Sequence, residues 1–162
     1  MGIDPGLAVV GYALVNKKGN KFQCLGYGTI RTSADLENLE RLKQIHAELM
    51  EIISEYNPEH MAVEELFFNK NVKTAIKVGQ ARGVIILAGA QAGLKVSEYT
   101  PLQVKQAVAG YGRAQKKQVQ KMVKTLMNLS EIPRPDDAAD ALAVSICHAH
   151  RFSSREKWGD IL

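Results

Sequence analysis

His60-Met61-Ala62-Val63-Glu64-Glu65-Leu66 is a short apolar run that closes on two acids. Its length suits a buried strand, and Asn57-Pro58 punctuates the chain just before it. Upstream, Leu36, Leu39, Leu42, Ile45, Leu49, Ile52 and Ile53 recur every three or four residues. That period predicts an amphipathic helix, with Ser33 or Asp35 as its N-cap. Downstream, residues 71 to 92 keep a helical pattern, and Leu94 to Tyr99 reads as a further strand. Helix, strand, helix, strand in this order implies parallel strands joined by crossovers.

Working further out, Ile3 leads into the turn signal Asp4-Pro5-Gly6. Ala8 to Asn16 is rich in β-branched residues, with Gly11 expected to mark a bulge. Lys17-Lys18-Gly19-Asn20 is a hairpin turn, and Phe22 to Ile30 the returning strand. Beyond Tyr99, Thr100-Pro101 opens a short helix to about Ala109. Gln115 to Leu129 is a basic helix with Val119, Met122, Val123 and Leu126 expected inward, and Asp136 to about Phe152 is the last helix. The order predicts an α/β fold: a five-stranded mixed sheet with helices on both faces. The second half of the 71–92 helix, Val84 to Ala90, is apolar all round, so it must lie in the middle of the domain or face a second subunit.

Length and composition agree with this reading. The 162 residues are about one domain's worth, with 46% hydrophobic and 23% charged residues. No repeat, linker or low-complexity tract divides them, so residues 1–162 are expected to form one domain, with a short surface tail after about Ser153 that includes Trp158. No apolar run approaches the roughly 20 residues a membrane span needs. The start shows no secretory signal, and Cys24 and Cys147 read as small buried groups in a reduced compartment, so a cytoplasmic location is expected. Net charge is +4, but its distribution says more. Between Tyr99 and Ser130 there is no acid, while Lys105, Arg113, Lys116, Lys117, Lys121 and Lys124 all fall there. One basic segment on an otherwise slightly acidic chain is the footprint of phosphate binding, unless it is simply a solvated helix face.

Acids stand where α/β sheets place their chemistry. Asp4 ends the first strand, and the carboxyl ends of strands are where open α/β sheets hold ligands. Glu64 and Glu65 end the buried strand; side chains alternate, so only one of them shares a face with Asp4, and spacing does not say which. Asp137 and Asp140 are three apart at the start of the last helix and meet on one face, with Asp136 and Asp140 a competing pair four apart. Each acid alone is explained by a turn, a fraying strand or a helix dipole. Together they form a set of hard oxygen ligands suited to Mg²⁺ or Mn²⁺ beside a basic segment, which suggests two-metal phosphodiester hydrolysis. The histidines His46, His60, His148 and His150 are not expected ligands, although His148 could approach the site from the last helix.

Several stretches resemble the RuvC family of bacterial Holliday junction resolvases: Gly2-Ile3-Asp4-Pro5-Gly6, Val63-Glu64-Glu65-Leu66-Phe67, Lys77-Val78-Gly79-Gln80-Ala81-Arg82-Gly83, Tyr99-Thr100-Pro101, Gln103-Val104-Lys105-Gln106-Ala107 and Asp137-Ala138-Ala139-Asp140-Ala141-Leu142-Ala143. They run in family order over nearly the whole chain. The resemblance implies an RNase H-like fold, a homodimer, and Mg²⁺-dependent paired nicking of four-way junctions in DNA recombination and repair, with two Mg²⁺ per site and Mn²⁺ able to substitute. It implies catalytic and metal-binding roles for Asp4, Glu64, Asp137 and Asp140, choosing Glu64 over Glu65 and Asp137 over Asp136. Phe67 falls where the family places an aromatic that wedges at the junction centre, and Lys105 and Lys116 match lysines used near the scissile phosphate and backbone. With Arg113, Lys117 and Lys121 these are the expected DNA-binding residues. The branch-migration proteins RuvA and RuvB are implied partners. The family usually carries a few more residues before Gly-Ile-Asp, so a short first strand is expected. Three other readings compete: an actin-like ATPase or sugar kinase, which would need a longer chain and a second Asp-x-Gly loop; an RNase H-like nuclease of RNA processing; and a junction binder that does not cut.

Overall fold

The structure, a computed structural model, describes residues 1–19, 21–66 and 72–158. Three strands, β1 (Gly2–Asp4), β2 (Val9–Lys18) and β3 (Lys21–Arg31), precede helix α1 (Asn38–Tyr56). Then come β4 (His60–Glu64), α2 (Val72–Gln91), β5 (Lys95–Tyr99), α3 (Pro101–Ala109), α4 (Lys116–Leu126) and α5 (Asp136–Trp158). The strands form one sheet in the order β3-β2-β1-β4-β5. β2 pairs antiparallel with β1 and β3, while β4 runs parallel to β1 and β5. The mixed sheet expected from the element order is therefore present, and β1 is short, at three residues.

The sheet is covered on both faces, and alternation along its strands decides which acid meets which helix. Ile3, Val10, Met61 and Val63 are buried in a core shared with Ile45, Leu49 and Ile53 of α1 and Ala81, Ile85 and Ala88 of α2. Ala13 and Ala62 point the other way, into a core built with Val104, Val119, Val123, Leu142 and Ile146. Because successive side chains alternate, Asp4 and Glu64 share the α5 face with Ala62, and Glu65 does not. Ile3 is level with Val63 in the parallel register, so Asp4 and Glu64 come out side by side at the carboxyl ends of neighbouring strands.

Helix α5 lies directly on the inner strands because the residues beneath it are small. A Cβ on Gly2 would overlap Ser145 Oγ and the Ala141 carbonyl, and one on Gly11 would overlap the Asp137 carbonyl oxygen. On the helix side Ala138, Ala139, Ala141 and Ala143 are fully buried. Gly11 thus serves this close approach. The expected bulge is elsewhere, at Leu14/Val15, where the β2–β3 register shifts.

Other details differ from the periodicity. The N-cap of α1 is Glu37, with no side-chain bond; Ser33 and Asp35 instead bond each other in the turn before it. Leu36 and Leu39 are exposed, as is Met122, which was expected inward. An apolar period marks a face but not how far neighbouring elements cover it. Helix α4 is shorter than expected, and α5 continues past Phe152 to Trp158. Thr100 caps α3 as expected, accepting from the Gln103 N–H, with the Gln103 side chain accepting from the Thr100 N–H. Among the described residues, no helix is long and apolar enough to cross a membrane.

Candidate active site

Four acids converge where β1 and β4 end beneath the first turns of α5. Asp4 and Glu64 arrive from the sheet, Asp137 and Asp140 from the helix. Their proximity shows in the titration of Asp4, Glu64 and Asp140. Burial pushes the Asp4 carboxyl up to about 8, and the charges of Glu64, Asp140 and Asp137 add to the push against a smaller opposing effect of Lys116. Burial likewise lifts Glu64 to about 7, reinforced by Asp140 and opposed by Lys105 and Lys116. Asp140 is raised as well, first by burial, although Lys116 works against it. Asp4 and Glu64 therefore keep their protons to much higher pH than free carboxyls do.

One cation is built in. Lys116, at the start of α4, places Nζ 2.9 Å from Asp140 Oδ2 and 3.2 Å from Asp136 Oδ2. Burial opposes the Lys116 charge, but its bonds to Asp140 and Asp136 outweigh that, and its pKa is raised. Asp136 also accepts from Gln120 Nε2 at 2.9 Å, and the Lys116 and Gln120 bonds hold its carboxyl below the usual range. Both acid pairs considered at the start of the last helix are therefore used. Lys116 bridges Asp136 and Asp140, while Asp137 and Asp140 both act on Asp4.

Among the described residues, no three carboxylate, imidazole or thiol groups are drawn together as a finished metal cage. The donor set nevertheless fits a divalent cation. It offers only carboxylate oxygens, the preference of Mg²⁺ and Mn²⁺, and the carboxyl pKa values of Asp4 and Glu64 are raised by the burial and repulsion that such an ion would offset.

The remaining expected residues surround this cluster unequally. Lys105 is near enough to Glu64 to act on its charge. Arg113, Lys117 and Lys121 are exposed on the α4 side. Phe67 lies outside the described residues. His148 does not join the acids: its Nδ1 is 2.9 Å from Tyr99 Oη, its ring packs against His60 and Phe152, and burial holds its pKa down near 4. Cys147 is a buried thiol that donates to the Gln103 carbonyl at 3.6 Å.

Spacing along the chain did not single out the bracing pair behind Glu64. Arg82 of α2 forms an ion pair with Glu98 of β5, and its Nε donates to the Glu64 carbonyl at 3.3 Å. Its only mark in the sequence is its place within the Lys77–Gly83 motif.

A sheet of this order, crossed on its inner strands by the last helix and carrying acids at the strand ends, is the RNase H-like fold, and it defines the class of protein. The family model described as crossover junction endodeoxyribonuclease RuvC matches residues 1–148. A relative of that name from Halothermothrix orenii is 67% identical over 159 residues, covering 98% of this chain and 96% of its own. Another, from Alkaliphilus oremlandii, is 61% identical over 150 residues, covering 93% and 92%. The solved structure of T. thermophilus RuvC in complex with Holliday junction substrate superposes with a TM-score of 0.87 at 38% identity, covering 94% of each chain. The yeast mitochondrial Holliday junction resolvase shares the fold, with a TM-score of 0.72 at 10% identity over 97% of this chain and 80% of its own. The chain belongs to the RuvC family of crossover junction endodeoxyribonucleases.

Proposed function

We propose that this protein resolves four-way DNA junctions by paired, symmetric hydrolytic nicks that leave 5′-phosphate and 3′-hydroxyl ends. The observation that carries the reading is the convergence of Asp4, Glu64, Asp137 and Asp140 on the α5 face, where burial and then the charges of the other three push Asp4 up to about 8. Family membership supports the substrate.

Asp4, Glu64, Asp137 and Asp140 would hold Mg²⁺, with Mn²⁺ able to substitute. Two ions bound there would supply a water of lowered pKa and would stabilise the leaving 3′-oxygen. The chain's own residues do the rest. Lys116 holds positive charge beside Asp140 and Lys105 beside Glu64, where each offsets charge developing on the scissile phosphate. Arg82 keeps the end of β4 in place through the Glu64 carbonyl. Arg113, Lys117 and Lys121 contact the DNA backbone, and Phe67 enters the junction centre, an assignment that rests on the family resemblance.

The protein acts as a homodimer. Ala81, Ile85 and Ala88 bury one side of α2, while Ile76 and Leu87 on the other side are 58% and 52% exposed. A Cβ on Gly79 or Gly83 would meet nothing, which leaves room for a second backbone to approach. Two symmetry-related sites match the two equivalent strands of a four-way junction. A cytoplasmic location, one nuclease domain over residues 1–162, and work alongside RuvA and RuvB complete the reading.

The test presents a synthetic four-way junction, a plain duplex and an RNA–DNA hybrid, each with Mg²⁺. Paired nicks on the junction alone are expected. Cutting of the hybrid instead would favour an RNA-processing nuclease, and tight junction binding without cutting would favour a pure binder.

A further inference from the structure

Next to the catalytic cluster, helix α4 and the loop 132–135 border a groove that sets Arg134, which the mechanism above does not use, opposite the backbone-binding Lys117 and Lys121. Lys117 and Lys121, one turn apart on α4, line one wall, and Arg134 lines the other. Ile132, Pro133 and Pro135 supply apolar surface between them. The single acid at the edge is Asp136, whose carboxylate is hydrogen-bonded by Lys116 and Gln120 and feels the Arg134 charge only as a weaker, through-space attraction. Lys117, Lys121 and Arg134 themselves make no ion pair or side-chain hydrogen bond among the described residues. Three cations thus surround one depression with a single carboxylate that Lys116 already shares, and their mutual repulsion stabilises neither the fold nor the helix. An anion would relieve that repulsion, and the apolar walls strengthen its attraction.

We propose that this groove is a clamp for the DNA backbone: Lys117, Lys121 and Arg134 bind a phosphate of the strand being cut, next to the scissile one, with its deoxyribose against Ile132 and Pro133. The assignment rests on the junction-resolving function proposed above and adds a specific second phosphate site to it. Its place follows from Lys116, which sits on the cluster side of α4 while the adjacent Lys117 faces the groove. A strand passing its scissile phosphate over Asp140 therefore carries a neighbouring phosphate past Lys117 and Arg134. Contacts of this kind fix register and orientation without reading bases. Arg134 is the informative member. It lies outside the acid-free segment, on a loop where charge alone would not draw notice.

The test measures binding of a fluorescent four-way junction in EDTA across a range of salt, so that nothing is cut. Arg134→Gln is expected to weaken binding about threefold to tenfold and to lower the slope of log K against log salt by about 0.9, the value of one lost phosphate contact. Arg134→Lys, which keeps the charge, should retain the slope. Lys43→Gln, which removes a charge on α1 far from the groove, should change neither. A junction with one neutral methylphosphonate beside the cut should abolish the difference between wild type and Arg134→Gln at a single backbone position. An unchanged slope for Arg134→Gln in a protein that binds and cuts the junction overturns the clamp alone. So does a difference that persists at every methylphosphonate position. A wild type that neither binds nor cuts the junction overturns the function first, and the clamp with it.

Discussion

Lys116 Nζ lies 2.9 Å from Asp140 Oδ2, and this ion pair ties the basic helix α4 to the acidic start of α5. In the proposed reaction it joins two halves of the chemistry, a basic surface that would attract phosphate and an acidic cluster that would repel it. A carboxylate cluster facing DNA would oppose binding on its own, so each acid at this site is costly for affinity and useful only for the cut.

Asp140→Asn should therefore separate the two. The amide keeps the shape, removes one ligand charge and leaves Lys116 with Asp136. Cleavage of a four-way junction at saturating protein should fall at least tenfold, about 1.4 kcal/mol of transition-state stabilisation, while binding in EDTA stays equal or tightens. A variant that keeps more than about a tenth of the wild-type rate would remove Asp140 from the ligand set.

The buried acids also give stability a pH dependence of known sign. An unfolded chain releases the Asp4 proton near 3.8, whereas the folded protein holds it to about 8. Above about 4 the unfolded state gains by ionising and the folded state does not, so the metal-free protein loses stability from about pH 4 up to about pH 8. Asp4→Asn removes that loss. Its melting temperature should match wild type near pH 4 and exceed it increasingly towards pH 8. At pH 8, added Mg²⁺ should raise the melting temperature of wild type more than that of the variant. Parallel melting curves across this range would refute the Asp4 assignment.

Gly11 faces Asp4 across the β1–β2 ladder and lies under the Asp137 carbonyl. Gly11→Ala has no room for its methyl without lifting the start of α5. The expected cost is about 1–3 kcal/mol in urea unfolding, as for other overpacked sites. Because Asp137 and Asp140 ride on that turn, cleavage should fall more than junction binding. Equal losses in both would mean that the helix start is not positioned by this contact.

The same glycine marks where sequence reading stops. A glycine inside a strand pattern signals either a bulge or a close backbone approach. The approaching element is α5, far along the chain, and nothing around Gly11 announces it. The true register shift at Leu14/Val15 has no glycine in β2 to mark it. Element types were legible because the periods of α1, β4 and β5 are strong and the turn signals sit between them. The acids were legible as a set because strand ends and a three-residue helical spacing are local features. The choice between Glu64 and Glu65 was not local: it depends on which face Ile3 and Val63 bury, and so on strand register. The Arg82–Glu98 pair and the groove around Arg134 were invisible for the same reason, each being made by elements brought together only in the fold.

Helix α2 carries the remaining prediction. Its run Val84 to Ala90 has no polar side, and the sheet covers only the face of Ala81, Ile85 and Ala88. Gly83, Leu87 and Ala90 are left exposed along the opposite stripe, continuing the line of Ile76. A two-fold partner offering the same stripe would cover it, with Leu87 near the centre of the contact. Leu87→Glu puts a charge there without touching the core or the acids, so the chain should still fold, which circular dichroism would confirm. In sedimentation at micromolar concentration wild type should run as a dimer, and the variant as a 17.8 kDa monomer. On a four-way junction the variant's nicks on the two strands should lose their coordination, appearing as singly nicked product. A wild type that sediments as a monomer yet cuts both strands symmetrically would exclude the dimer, because one site cannot face two equivalent strands at once.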